Sequence, residues 1–233
     1  MFLRLRLVLL PLLCLACAST QGQTPTPEPV RETNVKAVAA PLSYGLVVDN
    51  SGSLRTVLGS IIDASKVFVE GSGEEDEGFV VRFVSGEQIT VLRDFTTSKR
   101  ALDNALDQMY VEGGQTAILD ALYLAAEHLS KGAGGGDGGA GRRLALVLLT
   151  DGEDRASFYK KEQLVGLLRE RKIKVFVLGF PEMVRKNGGT KKDYEQATAL
   201  LNELAQASGG HAVIVREMSQ LSAGAGELLQ HMR

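Results

Sequence analysis

From Ser43 onward the chain alternates short apolar runs with segments of helical periodicity, and that alternation leaves few folds open. The runs expected as strands are 44–49, 78–84, 89–95, 144–150, 174–179 and 211–216. Several are nearly continuous in Val, Leu, Ile and Phe, as in strands covered by helices on both faces. Between them, Leu54, Val57, Leu58, Ile61, Ile62 and Ser65 share one helical face, and Ile118, Leu119, Leu122, Ala125, Ala126 and Leu129 share another. Leu164, Leu167 and Leu168 mark a third helix, Ala197, Leu200, Leu201, Leu204 and Ala205 a fourth, and Leu221, Leu228, Leu229 and Met232 a terminal one. The pattern predicts an α/β domain over residues 42–233: doubly wound, with a mostly parallel six-stranded sheet and helices on both faces. Only Ser85-Gly86-Glu87-Gln88 separates the second and third strands, too short for a crossover helix, so 89–95 is expected to return antiparallel at an edge.

The segment before this domain has a different character. Arg4 and Arg6 precede an apolar run at 7–15 that is too short to span a bilayer, and small residues follow at Ala16 and Ala18. This is the pattern of a secretory signal, so the product is expected to be exported. Two cleavage readings stay open. Ala16-Cys17-Ala18 fits a small-x-small site, giving a leader over residues 1–18 and a secreted product. Leu15-Ala16-Cys17 resembles a bacterial lipoprotein box, giving a leader over 1–16 and a cell-envelope protein anchored through acylated Cys17. That anchor is the only membrane contact expected. Cys14 and Cys17 are the only cysteines, so the domain has no disulfide framework. The stretch 19–41, with Thr24-Pro25-Thr26-Pro27-Glu28-Pro29, reads as an extended tether. Without Arg4 and Arg6 the chain has 24 basic against 28 acidic residues, which gives no footprint for nucleic acid.

Chemistry concentrates where strands should end. Asp49-Asn50-Ser51-Gly52-Ser53 follows the run Leu46-Val47-Val48, and its one carboxylate and two hydroxyls at alternate positions can converge on a hard cation. A lone stretch of this kind can equally cap a helix. Two further positions fall on the same rim of the expected sheet. Thr116 follows Gly113-Gly114-Gln115 and opens a helix, and Asp151 ends the run Leu146-Val147-Leu148-Leu149-Thr150 before Gly152.

These three segments, in this order and each at a strand end, resemble the von Willebrand factor type A (VWA) domain and its metal-ion-dependent adhesion site (MIDAS). The resemblance covers about residues 43–232, and Gln115 makes the second segment a slight variant. It implies a Rossmann-like VWA fold. It also implies that Ser51, Ser53 and Thr116 place hydroxyls on a metal or its waters, while Asp49 and Asp151 act through metal-bound water and orient the serines. The cofactor implied is Mg2+, or Mn2+ or Ca2+, and the partner implied is a protein supplying an acidic side chain. Asp120 is expected to serve as a structural hydrogen-bonder, and Glu153 and Asp154 as rim acids.

Enzyme signatures are thin. No GxSxG elbow or P-loop is present, no GxGxxG turn follows the first strand, and none of His128, His211 and His231 is placed by sequence near Ser51. The reading is therefore cation-dependent protein binding without catalysis. The alternative is a metal-dependent hydrolase or phosphatase on a similar scaffold. Two loops complete the expectations. Residues 132–141, nearly all glycine and alanine, read as a flexible connector on the far rim, and residues 182–192 as a basic loop on the metal rim, carrying Arg185, Lys186, Lys191 and Lys192.

Overall fold

The computed structural model describes residues 40–136 and 140–233. The expected leader, Cys17 and nearly all of the tether lie outside those residues. Six strands form one sheet: β1 (Leu42–Asp49), β2 (Glu77–Phe83), β3 (Ile89–Thr96), β4 (Arg143–Thr150), β5 (Ile173–Gly179) and β6 (Ala212–Ile214). Their order is β3-β2-β1-β4-β5-β6. Every neighbouring pair is parallel except β2 and β3, so the antiparallel edge strand stands where the short connection placed it.

The sheet is covered on both faces because its strands point alternate side chains into two cores. On one side lie Leu46 and Val48 of β1, Val147 and Leu149 of β4, and Phe176 and Leu178 of β5. Helices α1 (Leu58–Gly71), α2 (Lys99–Asp107) and α7 (Leu221–Met232) close that side with Ile61, Phe68, Leu102, Leu106, Leu221 and Leu228. On the other lie Val47, Phe79, Val81, Leu146, Leu148, Val175 and Val177. There α3 (Ile118–Gly136), α4 (Lys161–Glu170) and α6 (Lys191–Ala207) supply Leu122, Leu129, Leu164, Leu168, Leu201 and Leu204. A short helix, α5 (Glu182–Lys186), follows β5.

Three local expectations need correction. The first helix does not begin near Leu54: Gly52–Leu54 is a single 3-10 turn, and α1 starts at Leu58. Arg55 donates its amide to the Gly52 carbonyl and Val57 to the Leu54 carbonyl, so this stretch closes tight turns before the α-helical pattern sets in. Residues 182–192 are not a loop. They hold α5 and the start of α6, where Thr190 and Asp193 form a reciprocal capping box. The glycine-rich connector is not loose where it starts, at the point where helical φ/ψ end at Ala133. A Cβ on Gly132 would stand 2.4 Å from the Phe95 ring, and the Gly134 amide donates to Glu77 Oε1 at 2.6 Å, so this first part is fastened to the sheet. Past Ala133 the backbone runs through positive φ at Gly134, Gly135 and Gly136.

Both sheet edges are blunt. On β3, Thr90, Val91, Arg93 and Asp94 are exposed and the register against β2 shifts twice, while β6 has only three residues. Among the described residues no helix is long and apolar enough to cross a membrane.

The centre of the sheet is tight at Gly45, where an added Cβ would lie 2.2 Å from Phe79 Cζ. Gly45→Ala is therefore expected to lower stability by about 1–3 kcal/mol in urea denaturation, through overpacking. An unchanged midpoint would show that Phe79 can give way.

Candidate metal centre

The register of β1 on β4 builds the site. Val48 lies opposite Leu149, so Asp49 and Thr150 leave the two strands side by side at the carboxyl end of the sheet. Thr150 Oγ1 donates to Asp49 Oδ2 at 2.6 Å, and the Ser51 amide donates to Asp49 Oδ1 at 2.9 Å. Both Asp49 oxygens are thus engaged, and the residue is fully buried. The next links are hydroxyls. Ser51 Oγ and Ser53 Oγ are 3.0 Å apart, and Ser53 Oγ donates to Asp151 Oδ2 at 3.2 Å. One unbroken chain of hydrogen bonds joins Asp49, Ser51, Ser53 and Asp151.

Thr116 reaches this rim by another route. Its carbonyl accepts from the Arg155 amide at 2.8 Å and the Ala156 amide at 3.1 Å, both in the loop that Asp151 opens. The following residue, Ala117, donates to the Val84 carbonyl just beyond β2 at 2.8 Å. Thr116 is buried and tied to both neighbours through its backbone. Of the five expected site residues, four are linked through side chains, and the fifth is held to the Asp151 loop by main-chain bonds.

The loop after β4 is itself clasped to the start of α3. Asp154 Oδ1 accepts the Ile118 amide at 2.8 Å and the Ser157 hydroxyl at 2.6 Å, and Ser157 Oγ accepts the Leu119 amide at 3.0 Å. In return the Asp120 carboxylate accepts the Phe158 and Tyr159 amides at 3.0 and 2.8 Å. Asp120 has the structural part expected of it. Asp154 caps a helix from outside, satisfying first-turn amides that α3 leaves open. Gly152 makes the turn possible: its φ is +87°, and a Cβ would meet Leu201 at 2.9 Å and the Ala197 carbonyl at 3.1 Å. On the other flank the Asn50 amide donates to the Phe83 carbonyl, and the Glu112 amide to the Asn50 carbonyl. Asn187, after α5, donates to the Ser53 carbonyl at 3.1 Å, so that segment does border the site.

The part played by Thr150 was not anticipated from sequence. The signal was its place in Thr-Asp-Gly at the end of a buried strand, since a hydroxyl there needs an acceptor.

Electrostatics set the chemical character of the site. Burial pushes the Asp49 carboxyl up from its ordinary value, against the hydrogen bonds from Thr150 and Ser51. Asp151 is pushed up to about 7, first by burial and then by the charge of Asp49. Two carboxylates sharing a dry position resist joint ionisation. What such a set can do is hold a cation: carboxylates and hydroxyls are hard oxygen donors suited to Mg2+, Mn2+ or Ca2+.

The sign for stability follows. A carboxyl whose folded value is raised makes the folded state hold more protons than the unfolded chain between about pH 4 and 7, so stability falls as pH rises through that window. Melting temperature in chelator is expected to drop from pH 5 to pH 8, and Asp151→Asn is expected to flatten the drop and raise the pH 8 value by several degrees. A profile identical to the parent's would refute the shared burden of charge.

The family model described as "von Willebrand factor type A domain" matches residues 45–225. No curated protein matches the chain. Solved structures do. A von Willebrand factor type A protein from Catenulispora acidiphila is 19% identical with TM-score 0.59, over 82% of this chain and 42% of that one. This chain thus spans less than half of that relative. An aerotolerance-related membrane protein from Bacteroides fragilis is 19% identical with TM-score 0.60, over 82% of this chain and 98% of that one. Proximal thread matrix protein 1 of the mussel byssus, solved with a zinc-occupied MIDAS motif, is 19% identical with TM-score 0.63, over 83% of this chain and 48% of that one. At these identities the likeness is one of fold.

Proposed function

Because the chain belongs to the von Willebrand factor type A family, whose domains generally mediate protein–protein interaction or adhesion, we propose that this one binds a protein partner through a divalent cation at the carboxyl end of its sheet. The observation that carries the reading is the buried pair Asp49 and Asp151 joined through Ser51 and Ser53. Their burial disfavours charge on both, and a doubly charged cation is what would offset it. Ser51, Ser53 and Thr116 would supply hydroxyl oxygens to it, and Asp49 and Asp151 would hold its waters and orient the serines. When bound, such an ion supplies an electrophilic point that an acidic side chain can occupy. Mg2+ is the ion proposed, with Mn2+ and Ca2+ as related occupants.

The surroundings suit a protein partner. Phe158, in the loop that Asp151 opens, is 80% exposed, and Tyr110, whose carbonyl accepts from Asn50 Nδ2, is 54% exposed. Large exposed aromatics around a polar centre are characteristic of recognition surfaces. The domain acts by binding, with no turnover. Export rests on the sequence of the leader, and on the lipoprotein reading Cys17 would hold the domain at the envelope. Cys17→Ser is then expected to move the protein from membrane to soluble fractions, and unchanged fractionation would remove the anchor.

Titration with MgCl2 or MnCl2 is expected to show one site in the parent and none in Asp49→Ala, with the circular dichroism spectrum retained. A pull-down from native envelope in magnesium, repeated in chelator, is expected to lose the partner. Equal capture by Asp49→Ala and parent would end the proposal. Thr116→Ala is expected to weaken cation binding by about tenfold, with partial rescue by excess magnesium. Indifference to the substitution would take Thr116 out of the site.

A further inference from the structure

The β6 edge of the sheet, away from Asp49, holds a second group of potential ligands. His211 stands just before β6, whose first residue Ala212 lies opposite Val177 of β5, and α7 returns beside it. Glu227 and His231 lie four residues apart on α7, which puts them on one helical face a turn apart. Ligand atoms of His211, Glu227 and His231 all lie within 4.8 Å of one another. The two imidazoles stack, with ring centres 3.7 Å apart and planes 21° from parallel. Among the described residues none of the three side chains is engaged in a hydrogen bond or ion pair.

We propose that His211, Glu227 and His231 form a transition-metal site, suited to Zn2+, that pins the last helix to the edge strand. Two imidazole nitrogens and one carboxylate oxygen are a zinc-type donor set, and a water completes the tetrahedron. Around zinc, ligand atoms about 2.0–2.1 Å from the ion sit about 3.3 Å from each other, so the group must close by up to about 1.5 Å and one imidazole must turn out of the stack to aim its nitrogen at the ion. Glu227 and His231 are exposed and free to turn, while His211 has a fixed backbone. Its carbonyl accepts from the Val177 amide at 2.9 Å. Gly210, immediately before it, packs so closely on Val175 that an added Cβ would stand 1.9 Å from the Val175 carbonyl oxygen. One ligand is thus positioned by the sheet and two by consecutive turns of a helix. Magnesium has little use for imidazole. The two sites are therefore distinguished by ligand hardness.

The test is zinc titration in the presence of saturating MgCl2, followed by calorimetry and by the imidazole resonances. The chain has three histidines, so His128 serves as an internal control. One equivalent of zinc is expected to shift the His211 and His231 resonances and leave His128 unmoved. Asp49→Ala is expected to retain this equivalent, which separates the result from the fate of the Asp49 site. His211→Gln with His231→Gln is expected to lose tenfold or more in zinc affinity, and to lose the rise in melting temperature that zinc gives the parent, with an unchanged circular dichroism spectrum. Unmoved His211 and His231 resonances, or equal zinc affinity in the double variant, would overturn the proposal. If the double variant alters the spectrum, Glu227→Gln, at an exposed position, decides by the same affinity criterion.

Discussion

Two carboxylates buried at the ends of neighbouring strands are the constraint around which this rim is organised. The backbone alone would leave Asp49 and Asp151 facing one another without water. The chain answers with donors: Thr150 and the Ser51 amide to Asp49, and Ser53 and the Glu153 amide to Asp151. These bonds hold the oxygens in place but do not offset the cost of burying charge, which pushes both carboxyls up, Asp151 further through the charge of Asp49. The remaining features support that arrangement. Gly152 turns the chain where no Cβ fits, Asp154 and Asp120 lock the loop to α3, and Asn187 braces the serine segment from the far side.

Much of this was legible before any coordinates. The two-sided strands announced themselves as unbroken apolar runs, and the short second connection fixed the antiparallel edge. The DxSxS segment and Asp151 were expected together because both fell at strand ends on one rim, whereas Thr116 follows α2 and opens α3 on that same rim. Other features depend on contacts that spacing does not report. Helix α2 was not expected although Leu102, Ala105, Leu106 and Met109 keep helical spacing, because it is short and most of its other positions are charged or polar. The role of Thr150 depends on the β1–β4 register, which no local pattern encodes. The basic stretch after β5 read as a loop because its charges dominate, whereas Thr190 and Asp193 cap a helix there and Glu182 and Glu195 pair with Arg185 and Lys191. Asp154 shows the same gap: an acid on a rim and an acid capping a distant helix look alike in one dimension.

The domain also separates its chemistries by position. The hydroxyl–carboxylate cluster sits at the carboxyl ends of the central strands, and the stacked imidazoles beside the outer edge strand β6. The first placement follows from topology. In a parallel sheet all crossovers leave by one end, so side chains from distant parts of the sequence gather there.

The blunt margins of the sheet carry one last implication. Neither outer strand offers a ladder on which a foreign backbone could zip: one is charged and irregular, the other barely begins. Many copies could crowd together without templating fibrils on one another. On the proposed function, recognition would fall to the tips of the sheet, where geometry and charge, and not main-chain pairing, discriminate among visitors.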